Sequence, residues 1–335
     1  MLVTVAICTW NRARLLDQTL TRMRALIVPK GVSWELLVVN NNCSDETDEV
    51  LDKHGSHLPL RRLFESKQGL SNARNCASAA ACGEITLWTD DDVLVHPEWL
   101  AAYVGAAQDW PNAAFFAGTI SPWFSVQPPK WVRNNLPVLE GAFAIRQLGD
   151  LIRPLADHEH PFGANMAFRT EYLKRHLFDG RFGRFGKELI NGEESVFINR
   201  LRAHGCGGVW VGSACVEHYI PKERLCTRFI GQWFRGHGRT MIRLGTFPEK
   251  TSSWWGAPRW MWKKYWIYRV IALCLSPLKT KTWFHSFRQA AYLRGMIEEK
   301  QSWRTAVGER TSSFITEESS GDGSELTTPT PSISR

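Results

Sequence analysis

No pair of the eight cysteines, at positions 8, 43, 76, 82, 206, 215, 226 and 274, stands in CxxC spacing. That excludes the common zinc and dithiol patterns, and the scatter offers no disulfide framework, so a reducing, cytoplasmic setting is expected. No GxGxxG follows the first apolar run, which argues against a dinucleotide fold. No GxxxxGK[ST] occurs, which argues against a P-loop NTPase. No apolar run approaches the ~20 residues that a membrane-spanning helix needs. The longest near the C-terminus, "WIYRVIALCLSP", has twelve residues and contains Arg269. Met1 leads straight into "LVTVAIC" with no basic stretch before it, so no signal peptide is expected.

Acidic residues are the scarcer charge, 33 against 41 Lys and Arg, and they are unevenly placed. Between Trp255 and Thr305 ten Lys and Arg face only Glu298 and Glu299, so this segment carries as much net charge, +8, as the whole chain. Seven of the 16 tryptophans fall between Trp254 and Trp303. Trp and Tyr interleaved with Lys and Arg suit a helix lying on an anionic membrane surface, and a helix packed on the rest of the protein is the alternative. The stretch is accompanied by no nucleic-acid motif, so no nucleic-acid partner is expected.

What is present is alternation. "LVTVAIC", "WELLVVN", "LRRLFES", "EITLWT" and "AAFFAGTI" read as strands. Between them "RARLLDQTLTRMRAL", "SDETDEVLDKH", "SNARNCASAAACG" and "PEWLAAYVGAAQDW" read as helices, with Ser44 and Ser71 as caps of the second and third. This predicts an α/β fold with a mostly parallel central sheet flanked by helices. From Ser121 to about Pro161, six prolines predict loops and short helices. "GANMAFR", "GGVWVG" and "ACVEHYI" then read as strands, "GEESVFINRLRAHG" as a helix, and the stretch from Lys222 to Gly245 as a long helix interrupted by glycines. The Ser-, Thr-, Gly- and Glu-rich end reads as a disordered tail. The expected organisation is a catalytic domain over 1–245, with a nucleotide-binding half (1–120) and an acceptor half (121–245). A basic, Trp-rich helical module (246–305) and the tail (306–335) follow.

Ligands of an open parallel sheet bind beyond the carboxyl ends of its strands. There the sequence places "TWNR" (9–12), "NNN" (40–42), residues 69–75 and "DDD" (90–92). Three adjacent carboxylates at the end of a buried strand repel one another unless something pairs with them. A hard divalent cation, Mg²⁺ or Mn²⁺, bridging to phosphate oxygens is one such partner. A helix cap or a solvated run is the plainer reading of the aspartates taken alone.

Seven segments in order, "VAICTWNR", "LLVVNNNCSDET", "QGLSNARN", "LWTDDDVLVHPEWL", "PFGANMAFR", "NGEESVFINRL" and "VEHYIPKERL", resemble the inverting family 2 glycosyltransferases of the GT-A fold, most closely those that build bacterial surface polysaccharides. The resemblance spans residues 2–245. It implies that Thr9, Asn11, Arg12, Asn41, Arg74, Asp90 and Asp91 form the nucleotide-sugar pocket. It implies a Mn²⁺ or Mg²⁺ ion held by Asp92 and Asp90 with help from His218, Asp92 being the more direct ligand. Glu193 and Glu194 match the family's catalytic pair, the second being the base. Of two adjacent acids in a cleft, one is expected to have a raised pKa. Gly163, Asn165 and Trp131 are assigned to the acceptor side, a core role for Trp131 being an equal alternative. Arg224 is read as a helix-surface charge, with contact to the diphosphate as the alternative. Asn40 and Asn41 stand where relatives often carry aspartate, which leaves the base of the nucleotide open.

The resemblance therefore implies a metal-dependent inverting transferase that moves a sugar from a nucleotide-sugar, by expectation a UDP-sugar, to a glycan or lipid-linked glycan. Its expected station is the inner face of the cell membrane. Two competitors remain: a sugar-phosphate nucleotidyltransferase, which would need a Gly-rich, Arg-containing loop after the first strand, and a membrane-docking scaffold with a degenerate transferase domain.

Overall fold

The computed structural model describes residues 1–184, 189–245 and 252–318, with side chains to residue 303. Nine strands form one sheet: β1 (Leu2–Thr9), β2 (Ser33–Asn40), β3 (Leu60–Phe64), β4 (Ile85–Asp90), β5 (Val93–Val95), β6 (Phe115–Phe124), β7 (Arg153–Pro154), β8 (Asn165–Arg169) and β9 (Gly208–Ile220). The order across the sheet is β3-β2-β1-β4-β8-β6-β9-β5, with β7 on β9. The first four neighbours are parallel, as alternation with helices dictates. β8 enters antiparallel between β4 and β6, so the sheet is parallel in its first half and mixed in its second. "AAFFAGTI" therefore does not follow β4 in space, and its strand runs on to Phe124. "GGVWVG" and "ACVEHYI" are one strand, β9, with an irregular register opposite Gly118 and Thr119.

Helices cover both faces. α1 (Ala13–Met23), α2 (Thr47–Gly55) and α4 (Trp99–Asp109) sit on one core, where Leu16, Leu20, Leu51, Trp99 and Tyr103 meet Val3, Val5, Leu36 and Leu87. α3 (Leu70–Ala80), α7 (Thr170–Arg175) and α8 (Glu193–Ala203) sit on the other, where Phe168, Phe178 and Phe197 pack around Trp88. Strand residues buried on both faces account for the near-continuous apolar runs of β1 and β2. The expected serine caps are displaced. α2 begins at Thr47 and α3 is entered from Gly69, whose φ of 129° a residue with a Cβ rarely adopts. Ser71 lies inside α3 and donates to the Phe182 carbonyl at 2.9 Å.

The Pro-rich stretch holds α5 (Lys130–Arg133) and α6 (Leu136–Phe143). They pack with α9 (Thr227–Arg243) and α11 (Lys281–Glu318) in a third apolar cluster. α10 (Arg259–Cys274) folds back on α11, and Ile242, Met261, Leu293 and Met296 close a fourth. α11 continues past residue 306, where a tail was expected, because Ala, Arg and Glu keep helix propensity after Trp303. Residues 319–335 lie outside the described ones. α9 and α11 cross at glycines. A Cβ on Gly238 would meet the Tyr292 backbone, and one on Gly295 would meet that of Arg235. Within α10 only Met261 is fully buried, while Trp266 (55% exposed), Ile267, Val270 (54%) and Leu273 (59%) are open to solvent. No described helix is long and apolar enough to cross a membrane.

Candidate active site

A cavity of about 700 Å³ opens at the carboxyl ends of β1, β2 and β4. Thr9, Asn11, Arg12, Asn41, Arg74, Asp90 and Asp91 line it, as do Gly163, Glu193 and Glu194 from the opposite side. Ten of the residues singled out in the sequence are thus brought to one cleft. Asp92, His218, Asn165 and Trp131 do not line it.

The aspartate run is held by protein cations. Thr9 Oγ1 donates to Asp91 at 2.8 Å, and one Arg12 nitrogen bridges Asp91 (2.9 Å) and Asp92 (3.0 Å). Arg224 reaches Asp92 at 3.2 Å. It is buried, which corrects the reading of Arg224 as a surface charge: the chain after β9 turns through Lys222–Arg224 and folds its guanidinium inward. A buried carboxylate run needs a cation, and that need was the available signal. Burial pushes Asp92 up, but His218, Arg12 and Arg224 outweigh it and hold the group well below the usual range. Asp91 is raised by burial despite Arg12. Asp90 is raised by burial and by Asp92 beside it, and among the described residues its carboxylate has no hydrogen-bond or ion-pair partner. Arg224 is itself lowered to about 10 by burial.

His218 lies just behind. Its Nδ1 is 2.6 Å from the Phe143 carbonyl, which fixes that nitrogen as the donor, and its Nε2 lies 3.3 Å from Arg224. Nε2 is also 3.4 Å from Asp92 Oδ1, and that oxygen is buried with no hydrogen bond of good geometry. The unpartnered Asp90 carboxylate and this orphaned oxygen fit a divalent cation by charge and ligand type. They form no preformed cage: among the described residues no three His, Cys, Asp or Glu side chains are arranged to hold a metal. The expectation that Asp92 is the more direct ligand meets an arrangement in which its other oxygen is committed to Arg12 and Arg224.

Across the cleft, Gly192 at φ 96° turns the chain into α8, and Glu193 and Glu194 occupy its first turn, where the helix dipole favours negative charge. Arg74, fully buried, reaches Glu193 (3.1 Å) and Glu194 (3.3 Å). Burial first, and Glu194 second, push Glu193 up to about 8, and its Oε2 has no partner. Glu194 is less buried. Its Oε1 accepts from Arg74 and from the Gly163 N–H (3.0 Å), and its Oε2 makes no hydrogen bond among the described residues. A Cβ on Gly163 would collide with both Arg74 and Glu194, so only glycine lets this backbone approach. Arg74 was expected to close the nucleotide pocket. The carboxylate pair is what it contacts here.

Other assigned residues have structural partners. Asn11, at φ 51°, accepts from the Ser44 N–H (2.7 Å) and ties the loop after β1 to the loop after β2. Asn41 donates to the carbonyls of Glu65 and Lys67 and accepts from Gly69 N–H, so its amide is spent on shaping the wall. Asn165, assigned to the acceptor side, is instead fully buried. It accepts from Trp99 and Tyr103 and donates to the Thr119 and Ala214 carbonyls, joining β8 to β6 and β9. Trp131, also assigned there, packs edge-on against Trp283 of α11 at 5.5 Å. Residues not singled out in the sequence also line the cavity: Trp233, His237, Thr240, Met241 and Leu244, at one end or on one face of α9. Trp233 and His237 stack at 5.3 Å with 12° between rings. Their i, i+4 spacing within "QWFRGHGRTM" was the available signal. Arg184 also faces the cavity.

This sheet order, with carboxylates at the end of β4 facing a carboxylate pair at the start of α8, defines a GT-A glycosyltransferase. The glycosyl transferase family 2 profile matches residues 4–177, over half of the chain, and the protein belongs to that family. It is 22% identical over 260 residues to a glucosyl-dolichyl phosphate glucuronosyltransferase of Haloferax volcanii, covering 76% of this chain and 80% of that one. It is 31% identical over 152 residues, 44% of its length, to a validoxylamine A glucosyltransferase of Streptomyces hygroscopicus subsp. limoneus, of which it spans 33%. Among solved structures, a mannosyltransferase of Pyrobaculum calidifontis in complex with GDP-Man and Mn²⁺ superposes with a TM-score of 0.60 at 18% identity, over 90% of this chain and 87% of that one. S. aureus TarS 1–349 in complex with UDP superposes with a TM-score of 0.52 at 16% identity, over 91% and 92%.

Proposed function

We propose that the protein transfers a sugar, with inversion, from a nucleoside diphosphate sugar to an acceptor hydroxyl, with Glu194 as the base. One observation carries this reading. Glu194 is held through one oxygen by Arg74 and Gly163, and its other oxygen is unengaged at the wall of the cleft that Asp90 lines from across. A base so fixed removes the proton of the attacking hydroxyl as the new glycosidic bond forms. Arg74, balanced between two carboxylates, sets their orientation. The donor lies over Thr9–Arg12 and Asn41, with Arg12 and Arg184 facing its diphosphate. Asp90 and Asp92 Oδ1 would hold Mn²⁺ or Mg²⁺, which when bound neutralises charge on the departing diphosphate. The α9 face with Trp233, Met241 and Leu244 receives the acceptor and suits a sugar ring or a lipid-linked group.

A UDP-sugar is our choice of donor, supported by the UDP of the TarS complex; the guanine nucleotide of the Pyrobaculum enzyme is the competitor. A lipid-linked acceptor is supported by the name of the Haloferax relative and by the exposed apolar row of α10, flanked by Lys263, Lys264 and Arg269, which suits an anionic bilayer. A panel of nucleotide-sugars with Mn²⁺, read by thermal shift and hydrolysis, tests the donor. UDP-sugars should stabilise the protein and release UDP, and stabilisation by none of the panel would overturn the reading. The anomeric configuration of the product, by NMR, tests inversion.

A further inference from the structure

A second cavity, of about 310 Å³, lies between α9, α10 and α11. Five cations border it: Arg228 and Arg235 from α9, Arg269 from α10, Lys279 from the turn that follows, and Arg294 from α11. No acidic side chain lines it. Arg235 and Arg294 share one carboxylate, Glu298. Arg228, Arg269 and Lys279 have no carboxylate partner among the described residues, and Lys279 lies 4.0 Å over the Trp283 ring. A concave site with surplus cations and no acid concentrates anions, and guanidinium groups are suited to phosphate. The rest of the lining is uncharged and mixed: Thr227, Gln232 and Ser276 add polar groups, small Gly231, Ala290 and Ala291 give it room, and exposed Leu273 stands at its edge. Leu273 continues the open row of Trp266, Ile267 and Val270 along α10.

We propose that this pocket takes the phosphate of an anionic lipid headgroup, with the lipid's apolar part along that row of α10. Free phosphate shares the head chemistry but leaves Leu273 and Val270 uncovered, so the lipid is the favoured source. The proposal rests on the bilayer reading of α10 and not on the transferase reading. The helix that borders it, α9, presents Trp233, His237 and Thr240 to the catalytic cavity and Arg228 and Arg235 to this one. Lipid capture would therefore seat the acceptor wall against the surface from which a lipid-linked acceptor comes.

The test is sedimentation of the full chain with phosphatidylcholine vesicles, with and without phosphatidylglycerol, for wild type, Arg228→Gln/Arg269→Gln and Lys263→Gln/Lys264→Gln. The two variants remove equal charge, but only the first touches the pocket. Each cation at an anionic surface is worth about fivefold in binding, and the pocket variant should lose at least that factor more than the control. Millimolar inorganic phosphate should weaken the wild type on phosphatidylglycerol vesicles and should raise its melting temperature, an effect missing in the pocket variant. Equal losses in both variants would reduce the site to diffuse charge. Phosphate stabilisation that depends on Arg228 and Arg269, with vesicle binding unchanged in the pocket variant, would assign the pocket to free phosphate. Either result overturns the proposal. UDP binding, unaffected in both variants, separates this outcome from failure of the catalytic reading.

Discussion

Two groups of carboxylates face each other across one cleft and differ in the cations that reach them. At the end of β4, Asp91 and Asp92 receive Arg12, Arg224 and a threonine hydroxyl, and Asp92 stays charged. At the start of α8, Glu193 and Glu194 share only Arg74, and Glu193 is pushed up to about 8. Burial opposes charge in both. Which carboxylate keeps its proton follows from burial set against the cations that the fold delivers: Asp92 meets two arginines and is held low, whereas Asp91 and Glu193 meet one each and are raised. On the proposed function, the first side would meet the charges of a diphosphate and its cation. The other offers one anchored carboxylate beside a neutral neighbour.

The largest expected effect comes from removing the anchored carboxylate. Glu194→Gln should lower turnover by about 10²–10⁴-fold, the range of general-base contributions, with UDP affinity unchanged. Near-normal turnover would move the base to Glu193. Next is Asp92→Ala, which strands the buried Arg224 and half the bonding of Arg12. Breaking a buried ion pair costs about 3–5 kcal/mol, and urea unfolding should show a loss of that order. A smaller loss would mean that water reaches Arg224.

Asp90 sharpens the contrast within its own group, because among the described residues it pairs with nothing. Asp90→Asn should leave the unfolding midpoint in place and abolish the gain in UDP affinity that Mn²⁺ gives. Calorimetry showing that gain intact would remove Asp90 from the cation site. The smallest effect is a pH-dependent one. Glu193 in the folded protein titrates at about 8, above its ordinary 4.5, so the folded state binds the extra proton between those values. Stability from this group is complete below pH ~4.5 and is lost as pH rises through about 8. Glu193→Gln mimics the protonated form. The variant should gain in melting temperature over the wild type at pH 8.5 and differ little at pH 5, and an equal difference at both would show Glu193 to be charged throughout.

The first half of the molecule was legible in the sequence because each strand end there is a short local signal. "TWNR", "NNN" and "DDD" stand at carboxyl ends of adjacent parallel strands, and the topology brings them together. The Glu193–Glu194 pair was legible as a motif, but its cation was not: Arg74 is 119 residues away, and no local pattern links them. Arg224 was misread because a 3₁₀ turn, unlike a helix, gave no periodicity from which to infer its direction. Asn165 was assigned to the ligand, and Trp131 was left between ligand and core, for one reason. A polar or aromatic residue near a cleft in sequence order was given to the ligand, whereas β8 lies at the sheet centre and α5 packs under α11. The α9 wall of the cavity was hidden by its glycines, which read as interruptions but are what lets two helices touch.

That contact also bears on modularity. At Gly238 and Gly295 the main chains of α9 and α11 meet with no room for a side chain, and α9 is a wall of the catalytic cavity. A truncation after residue 245 would therefore not excise an appendage. It would strip the outer support from a wall of the reaction chamber, so the C-terminal hairpin cannot be grafted, swapped or shed without re-engineering the site it braces.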